Sequence, residues 1–556
     1  MKQKRIPLPL IIYYAGLFFL LAGYILLPML NTVAKAFHFG EGFTLSVLWD
    51  YLQNANNLRV LQNTATLGLL SVLTCGLIGT LLALYLRFVE LRWKRLLHII
   101  LLTPMMIPGV IIVIAFIELY GESGILTNAL RLLLRLDHPP FYLSGLPGIL
   151  FVITYTQYVY FYLNVSVALK YVDRSAIDAA VSLGAGRFRI FRDAVLPVIR
   201  PALITSAMVT FVSGIGSFSA PNLIGGGYKV LSTQIVRSKA NNRIDVASVQ
   251  VLLLLLIGLS VMFVLQICRK RAGYVRNVRA TSYLPAKKRT LFTVVAGLLI
   301  FLQVLLILVP VLGIIYMSFN STHSIMTDIF PHELTLENYA ALYESDRVLR
   351  PIKNSLNMSL LSVAAGLALT VPVSYLCWKR KDLPAGWARA VMMLPWCLPG
   401  SVIGINLINA FNKKSVFAFG QSLIGGYWIL PIAYVILSLP LLLSYNDTAM
   451  ESFNPALDQA SHSLGASSLT TMLRLILPGI APGIAAGGIL AFIRTVGEYT
   501  VSALLYGVYN RPISISMVLN IHDFNIGISM SYGVLVIAIC FIALLLLLKL
   551  DKKQFL

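Results

Sequence analysis

Long apolar runs alternate with short polar segments along the whole chain. Each run holds about 20 residues, enough for a helix to cross a bilayer core of about 30 Å. The runs are near-continuous in Leu, Ile and Val and lack a period of two, which argues against a transmembrane barrel. The pattern therefore predicts an all-α integral membrane protein with about twelve spans, at residues 10–34, 64–86, 97–119, 146–168, 200–222, 248–268, 292–318, 355–378, 388–411, 424–444, 481–507 and 530–549.

One polar segment interrupts the apolar pattern in each half of the chain. The segment 175–203 recurs as 456–484, a shift of 281 residues. The matched positions are Gly184 with Gly465, Pro197 with Pro478, and Pro201 with Pro482. A polar segment repeated within two apolar halves indicates an element that a soluble partner must reach.

The repeat extends into the spans with a shift of 291 residues. Matched there are Asn63 with Asn354, Pro104 with Pro395, and Pro108 with Pro399. The prolines are predicted to break or kink their helices. Six spans per half is an even number, so the two six-helix repeats enter the membrane in the same orientation and are parallel. We predict a first half at 1–268 with a first repeated loop at 170–200, a basic linker at 269–290, and a second half at 291–556 with a second repeated loop at 446–481.

The charge balance agrees with this topology. Of the 556 residues, 58% are hydrophobic and 12% charged, and the net charge is +22. Of the 44 Lys and Arg residues, 29 fall in segments that the topology assigns to the cytoplasm. The positive-inside rule therefore accounts for the charge better than nucleic-acid binding does, and it places both termini and both repeated loops in the cytoplasm. The apolar run 10–30 is too long for a signal peptide, so we expect an uncleaved first span.

Each repeated loop carries the start and stop signals of a short helix. Asp173 and Asn454 are predicted helix caps, and Pro455 takes the first helical position. Gly184 and Gly465 are predicted to end the two helices in a positive-φ conformation. A second short helix is expected to follow in each loop and to end at the Leu-Pro pair before the next span. Small residues on one face of the first helix would let another backbone approach closely.

Both loops resemble the EAA loop of permease subunits of binding-protein-dependent ABC importers. The residues that carry the likeness are Asp178, Ala179, Ala180, Gly184 and Pro197 in the first loop, and Gln459, Ala460, Ser461, Gly465 and Pro478 in the second. The first loop has Asp in place of Glu, and the second lacks the charge. The resemblance implies the type I ABC importer permease fold in a bacterial cytoplasmic (inner) membrane. It also implies that each loop forms a coupling helix seated on an ATPase subunit.

The same resemblance implies the partners. The chain has no G-x-x-x-x-G-K-[ST] phosphate loop. It is therefore expected to be a transport subunit without enzymatic activity or a cofactor of its own. Two copies of a separate ABC ATPase would bind ATP and Mg²⁺, and an external (periplasmic) solute-binding protein would deliver the solute. Five cysteines without a C-x-x-C pair predict no metal site.

Two ionisable residues lie in a predicted span. Arg494 and Glu498 are four residues apart, so on one helix they would share a face and could pair. Their counterparts in the first half are Ser213 and Ser217. Ionisable groups at this depth are costly and usually face a cavity or a partner. All four residues are predicted to line the translocation pathway. The alternative for Arg494 and Glu498 is a structural pair that fixes helix packing.

The substrate is the open question. Fusion of two permease halves in one chain resembles the importers of ferric iron, thiamine and 2-aminoethylphosphonate, and ferric iron is our first expectation. Phosphonate or sugar phosphate, thiamine and polyamine are alternatives. An alternative of another class is an ion-coupled secondary transporter, against which the paired loops speak. An intramembrane enzyme lacks a supporting constellation of residues.

Overall fold

The computed structural model describes residues 8–37, 45–89, 93–271, 291–380 and 382–550. These residues form α-helices joined by short turns, and their only β-pairing is two isolated bridges. The helices of the first half are α1 Leu8–Leu21, α2 Leu27–Ala36, α3 Ser46–Gln53, α4 Ala55–Phe88, α5 Lys94–Met106, α6 Gly109–Tyr120, α7 Ile125–Leu133, α8 Gly145–Leu169, α9 Arg174–Ser182, α10 Arg187–Ile190, α11 Leu196–Ile215, α12 Ser219–Ile224, α13 Leu231–Ala240 and α14 Ile244–Arg271. Those of the second half are α15 Leu291–Ser318, α16 Thr322–Thr327, α17 Glu337–Glu344, α18 Asp346–Lys379, α19 Leu383–Met393, α20 Gly400–Phe411, α21 Ile429–Ser452, α22 Pro455–Ser463, α23 Ser468–Thr471, α24 Leu477–Val496, α25 Thr500–Leu505, α26 Ile513–His522 and α27 Ile526–Leu550.

The number of spans agrees with the sequence pattern. Within the described residues, eleven helices are long and apolar enough to cross a membrane, or twelve if one sharply bent pair counts as a span. The third span differs from the prediction, because 97–119 contains a break and the qualifying helix runs over Gly109–Leu133. The helix at the predicted span 481–507 runs over Ser468–Val496 and so ends well before residue 507. The basic linker lies, from residue 272 onward, outside the described residues.

Of the four matched prolines, Pro108 and Pro399 stand at helix breaks as predicted, whereas Pro104 lies inside α5 and Pro395 lies in a short 3₁₀ turn over Leu394–Cys397. In the first half, α5 ends at Met106 and Pro108 is the residue before α6. In the second half, Pro399 takes the same place before α20, and the two arms of that span bend by 116°. Proline has no N–H to donate and restricts the residue before it, so a helix tends to end there.

The chain packs into two compact units that exchange their first spans. One unit comprises residues 1–50, 235–252 and 335–556, and the other comprises 51–234 and 253–334. The first unit thus holds the N-terminal span with most of the second half, and the second unit holds the seventh span with most of the first half. The domain boundaries at 268 and 291 follow the sequence repeat instead, and they remain a prediction.

In the second unit, α4, α8 and α11 form the packed centre. Gly214 on α11 allows this close packing, because a Cβ there would lie 3.2 Å from the Ser71 side chain of α4. The exchanged helix α15 joins the same unit. The hydroxyl of Tyr155, which is buried in α8, donates to the carbonyl of Ile307 on α15 at 3.1 Å.

The first unit repeats this centre with α18, α21 and α24. A Cβ on Gly483 of α24 would lie 2.7 Å from the Cβ of Ala449 on α21, so these two helices also approach closely. The N-terminal span packs on the outside through aromatic pairs. Phe18 stacks on Trp387 with ring centroids 4.9 Å apart. The hydroxyl of Tyr14 donates to both carboxylate oxygens of Asp382, at 2.8 and 3.0 Å.

Candidate functional site: the two repeated loops

The first helix of each repeated loop begins at a side-chain cap. Asp173 accepts the backbone N–H of Ser175 at 2.9 Å and the hydroxyl of Ser175 at 2.7 Å. These two hydrogen bonds lower the pKa of the Asp173 carboxyl. Asn454 accepts the backbone N–H of Ala456 at 3.0 Å, and Pro455 is the first residue of α22. The predicted starts of both helices are therefore confirmed, and each cap satisfies a donor that the first helical turn leaves unpaired.

Both helices end in the same hydrogen-bonded turn. Gly184 has φ +76° and Gly465 has φ +83°. In the first loop, Gly184 donates to the carbonyl of Val181 and the next residue, Ala185, donates to the carbonyl of Ala180, both at 2.9 Å. The second loop repeats both bonds at 3.0 and 3.1 Å. This is the Schellman arrangement, in which a left-handed glycine lets the last carbonyls of a helix find donors.

The motif residues lie on an exposed surface. Asp178, Ala179, Gln459 and Ala460 are exposed, whereas Ala180 and Ser461 are half-buried. Beside each glycine stands a leucine that is almost wholly exposed, with Leu183 at 87% and Leu464 at 89%. Each loop therefore offers small side chains and one protruding leucine on a capped, rigid helix. Such a surface is suited to fit a groove of a partner.

The second short helix of each loop was predicted to end at the Leu-Pro pair, and this prediction is wrong. The helix continues into the next span. A π-helical turn over Phe191–Val195 joins α10 to α11, and a matching turn over Met472–Ile476 joins α23 to α24. Pro197 and Pro478 occupy the first turn of the spans that follow. A proline ring would clash with the carbonyl four residues earlier, and the extra residue of a π turn moves that carbonyl away. Each loop is thus continuous with a span.

The spans that leave the loops end at matched breaks. Helix α11 ends at Ile215 and α24 ends at Val496. The hydroxyl of Ser232 donates to the carbonyl of Ser217, and the hydroxyl of Ser514 donates to the carbonyl of Glu498, both at 2.6 Å. These two serines were not predicted from the sequence, although their spacing of 282 residues differs by only one from the repeat shift of 281.

A second matched contact holds the helix that follows each break. The backbone N–H of Leu231 donates to Thr64 Oγ1, and that of Ile513 donates to Ser355 Oγ, both at 2.9 Å. In each half a hydroxyl on the long helix α4 or α18 therefore fixes the start of α13 or α26. The repeat predicted from the sequence extends to individual hydrogen bonds.

The predicted helical pair of Arg494 and Glu498 is wrong. Helix α24 ends between them, so they do not share a helix face. Glu498 instead accepts the backbone N–H groups of Val501 and Ser502, at 3.0 Å each, and the Ser502 hydroxyl at 3.0 Å. Its carboxylate therefore caps the short helix α25, while Arg494 is exposed. Ser213 and Ser217 occupy the corresponding places at the end of α11.

A resident metal centre finds no support in the described part of the chain. No three His, Cys, Asp or Glu side chains among those residues are grouped to hold an ion. The tyrosines at 155, 158 and 162 of α8 are buried among the helices. The hydroxyl of Tyr158, for example, donates to the carbonyl of Leu101 at 2.6 Å.

The fold and the loops define the class of protein as a polytopic membrane protein with a duplicated helical core and a duplicated exposed loop. The family model for the inner membrane component of binding-protein-dependent transport systems matches residues 76–274 and 362–555, one match in each half. The chain belongs to this family. It is a multi-pass inner-membrane permease subunit of an ABC importer with the type I permease fold, and members of this family work with an ATPase and a solute-binding protein.

Individual relatives agree with the family. The chain is 31% identical over 500 residues to a probable ABC transporter permease protein, y4fN, of Sinorhizobium fredii, covering 89% of this chain and 88% of the relative. It is 25% identical to the ferric transport system permease protein FbpB of Actinobacillus pleuropneumoniae, over 93% of this chain and 74% of the relative. It is 26% identical to the spermidine/putrescine permease protein PotC of Escherichia coli, over 36% of this chain and 72% of the relative.

Proposed function

We propose that the chain is the permease of an ATP-driven importer of ferric iron. The observation that carries the importer mechanism is the pair of repeated loops, each a capped helix with an exposed leucine. Two considerations favour iron as the solute. The two permease halves are fused in one chain, and the relatives that span most of the chain include ferric permeases of two genera. The polyamine permease PotC matches only about a third of the chain.

Each repeated loop would seat one of two identical ATPase subunits. The motif residues Asp178–Ala180 and Gln459–Ser461 would enter a groove of the ATPase, with Leu183 and Leu464 at its edge. ATP and Mg²⁺ would be held by those subunits, since this chain has no phosphate loop. Both termini and both loops would then lie in the cytoplasm, and the external binding protein would dock on the opposite face.

The local structure suggests how motion would reach the membrane. Each docking helix, α9 or α22, ends in a hydrogen-bonded glycine turn, and after two further residues the chain continues through α10 or α23 and a π turn into α11 or α24. Displacement of the docking helix would therefore move the whole span up to the break at residue 216 or 497. Arg494 and Ser213 lie in the last turn before these breaks and would border the pathway. Glu498 and Ser217 lie just beyond the breaks and would fix their geometry.

Uptake of radioactive iron by proteoliposomes tests the substrate. The vesicles contain the purified chain with its ATPase, ATP is enclosed, and the cognate binding protein is added outside with ferric iron, spermidine, thiamine or a phosphonate. We expect iron uptake that requires ATP and binding protein, and no competition from the other three solutes. Uptake of one of those solutes in place of iron would overturn the ferric assignment while leaving the importer mechanism. Solute uptake driven by an ion gradient without ATP would overturn the importer mechanism itself.

A further inference from the structure

The two docking helices are held to the protein by different kinds of contact. In the first loop, Ile177 on α9 is buried, with 8% of its surface exposed. In the second loop, no residue of α22 is buried. A cavity of about 640 Å³ opens beside α22, and Pro455 and Asp458 are among the residues that line it. Helix α22 therefore stands beside open space, and apolar packing cannot be what positions it.

A polar cluster holds α22 instead. Lys379, the last residue of α18, places its Nζ 3.0 Å from Asp458 Oδ1 and 2.8 Å from His462 Nε2. Asp458 and His462 are four residues apart on α22, so both face the end of α18. His462 Nδ1 is 2.9 Å from the carbonyl of Ala466. Because a carbonyl only accepts, Nδ1 donates there, and Nε2 is left to accept from the ammonium of Lys379.

The surroundings favour a stable pair. The side chains of Lys379 and Asp458 are only 21% and 14% exposed. The ammonium also lies 5.4 Å from the ring centroid of Tyr375, one turn back along α18. A second polar contact joins Ser461 Oγ to Thr471 Oγ1 at 2.9 Å, which links α22 to α23.

The first half replaces every member of this cluster by an apolar residue. The repeat relates Lys379 to Phe88, Asp458 to Ile177 and His462 to Val181. It also relates Ser461 to Ala180 and Thr471 to Ile190. Of these apolar counterparts Ile177 is buried, whereas Val181 is exposed, and at the matching positions of the second half charge and hydrogen bonds hold the helix.

We infer that Lys379 is a positioning residue that ties the second docking helix to the end of α18, so that the two move as one body when the ATPase moves. This inference rests on the proposed role of the loops in ATPase coupling. It assigns to the second half a joint that depends on charge, at positions where the first half has apolar residues. Without the joint, α22 would follow the ATPase while α18 stays behind, so ATP would be hydrolysed without solute movement.

The test measures solute transported per ATP hydrolysed in the same proteoliposomes. For Lys379→Met we expect this ratio to fall by about fivefold, the fold-change that corresponds to the upper end of the range for an exposed ion pair. Lys379→Arg keeps the charge and should restore most of the ratio. Asp458→Asn should also lower the ratio, and combining it with Lys379→Met should add little, because both changes remove the same contact.

The matched control is Lys353→Met. Lys353 lies on the same helix, about 39 Å from Lys379 along the helix axis. Lys353 is an exposed residue 3.8 Å from Asp346, and its replacement should leave the ratio unchanged. The ATPase should co-purify with every variant, and thermal melting should match the wild type, which separates positioning from folding. If Lys379→Met transported as much solute per ATP as the wild type, the inferred positioning role of Lys379 would be overturned. A wild-type complex that shows no ATP-dependent transport would instead refute the proposed function.

Discussion

Replacing Gly184 and Gly465 together by glutamate is expected to abolish stimulation of the partner ATPase by loaded binding protein. At φ +76° and +83° a residue with a Cβ costs about 1–2 kcal/mol of conformational strain. A carboxylate at the end of a helix also opposes the helix dipole. A Cβ would meet nothing within 4 Å at either glycine. The loss would therefore come from the altered turn and the added charge on the docking surface, not from a clash within the chain.

Gly186→Glu is the matched control for this experiment. It adds the same single charge as Gly184→Glu, two residues further along the first loop, where a Cβ also meets nothing within 4 Å and φ is not positive. We expect it to keep most of the stimulation, and each single replacement at 184 or 465 to be weaker than the double. ATP hydrolysis is measured with and without loaded binding protein. Full stimulation in the double variant would contradict a role for these turns.

Glu498→Ala is expected to destabilise the protein, whereas Arg494→Ala should not. The Glu498 carboxylate accepts three donors at the start of α25, from Val501 and Ser502. Ser502 Oγ also lies 2.9 Å from the backbone carbonyl of residue 498, which the variant retains, so two backbone donors are left unpaired. Leaving a buried donor unpaired costs about 1–3 kcal/mol, so we expect the free energy of unfolding to fall by roughly 2–6 kcal/mol. Glu498→Gln keeps one acceptor oxygen and should lose less. Thermal melting of the purified chain in detergent gives the comparison.

The exposed Arg494 provides the contrasting result. Arg494→Ala removes no contact that the break depends on, so its melting temperature should equal that of the wild type while solute uptake falls. A Glu498→Ala variant that melts normally but transports nothing would show that the carboxylate serves the solute and not the backbone. Equal destabilisation by both substitutions would restore the structural pair as the better interpretation.

Local rules were sufficient to predict the first helix of each repeated loop. Caps at Asp173 and Asn454 and left-handed glycines at 184 and 465 each depend on residues within one turn, and all of them are present. The breaks at Pro108 and Pro399 follow from the covalent structure of proline in the same way.

The failures have equally specific causes. The pairing of Arg494 with Glu498 assumed one continuous apolar helix, although Gly497 and its counterpart Gly216 stand where α24 and α11 end. That matched glycine pair was a usable signal. The Lys379–Asp458 contact joins residues 79 positions apart, and no local pattern in the sequence indicates it. The π turns depend on where a proline ring meets a carbonyl in an otherwise regular helix, which hydrophobic periodicity does not report.

Photo-crosslinking from the two protruding leucines shows whether each repeated loop seats an ATPase subunit. A photoreactive amino acid is placed at Leu183 or at Leu464 in the assembled complex, and at Phe419 as a control. Phe419 is 94% exposed. It comes before the membrane-spanning helix α21, whereas the second docking helix comes after α21, so the two are expected on opposite sides of the membrane. If each loop seats an ATPase subunit, the photoreactive residue at 183 and, independently, the one at 464 should form an adduct with the ATPase subunit, and the one at 419 should form none. The absence of an ATPase adduct at both leucines, or an equal yield at 419, would contradict it.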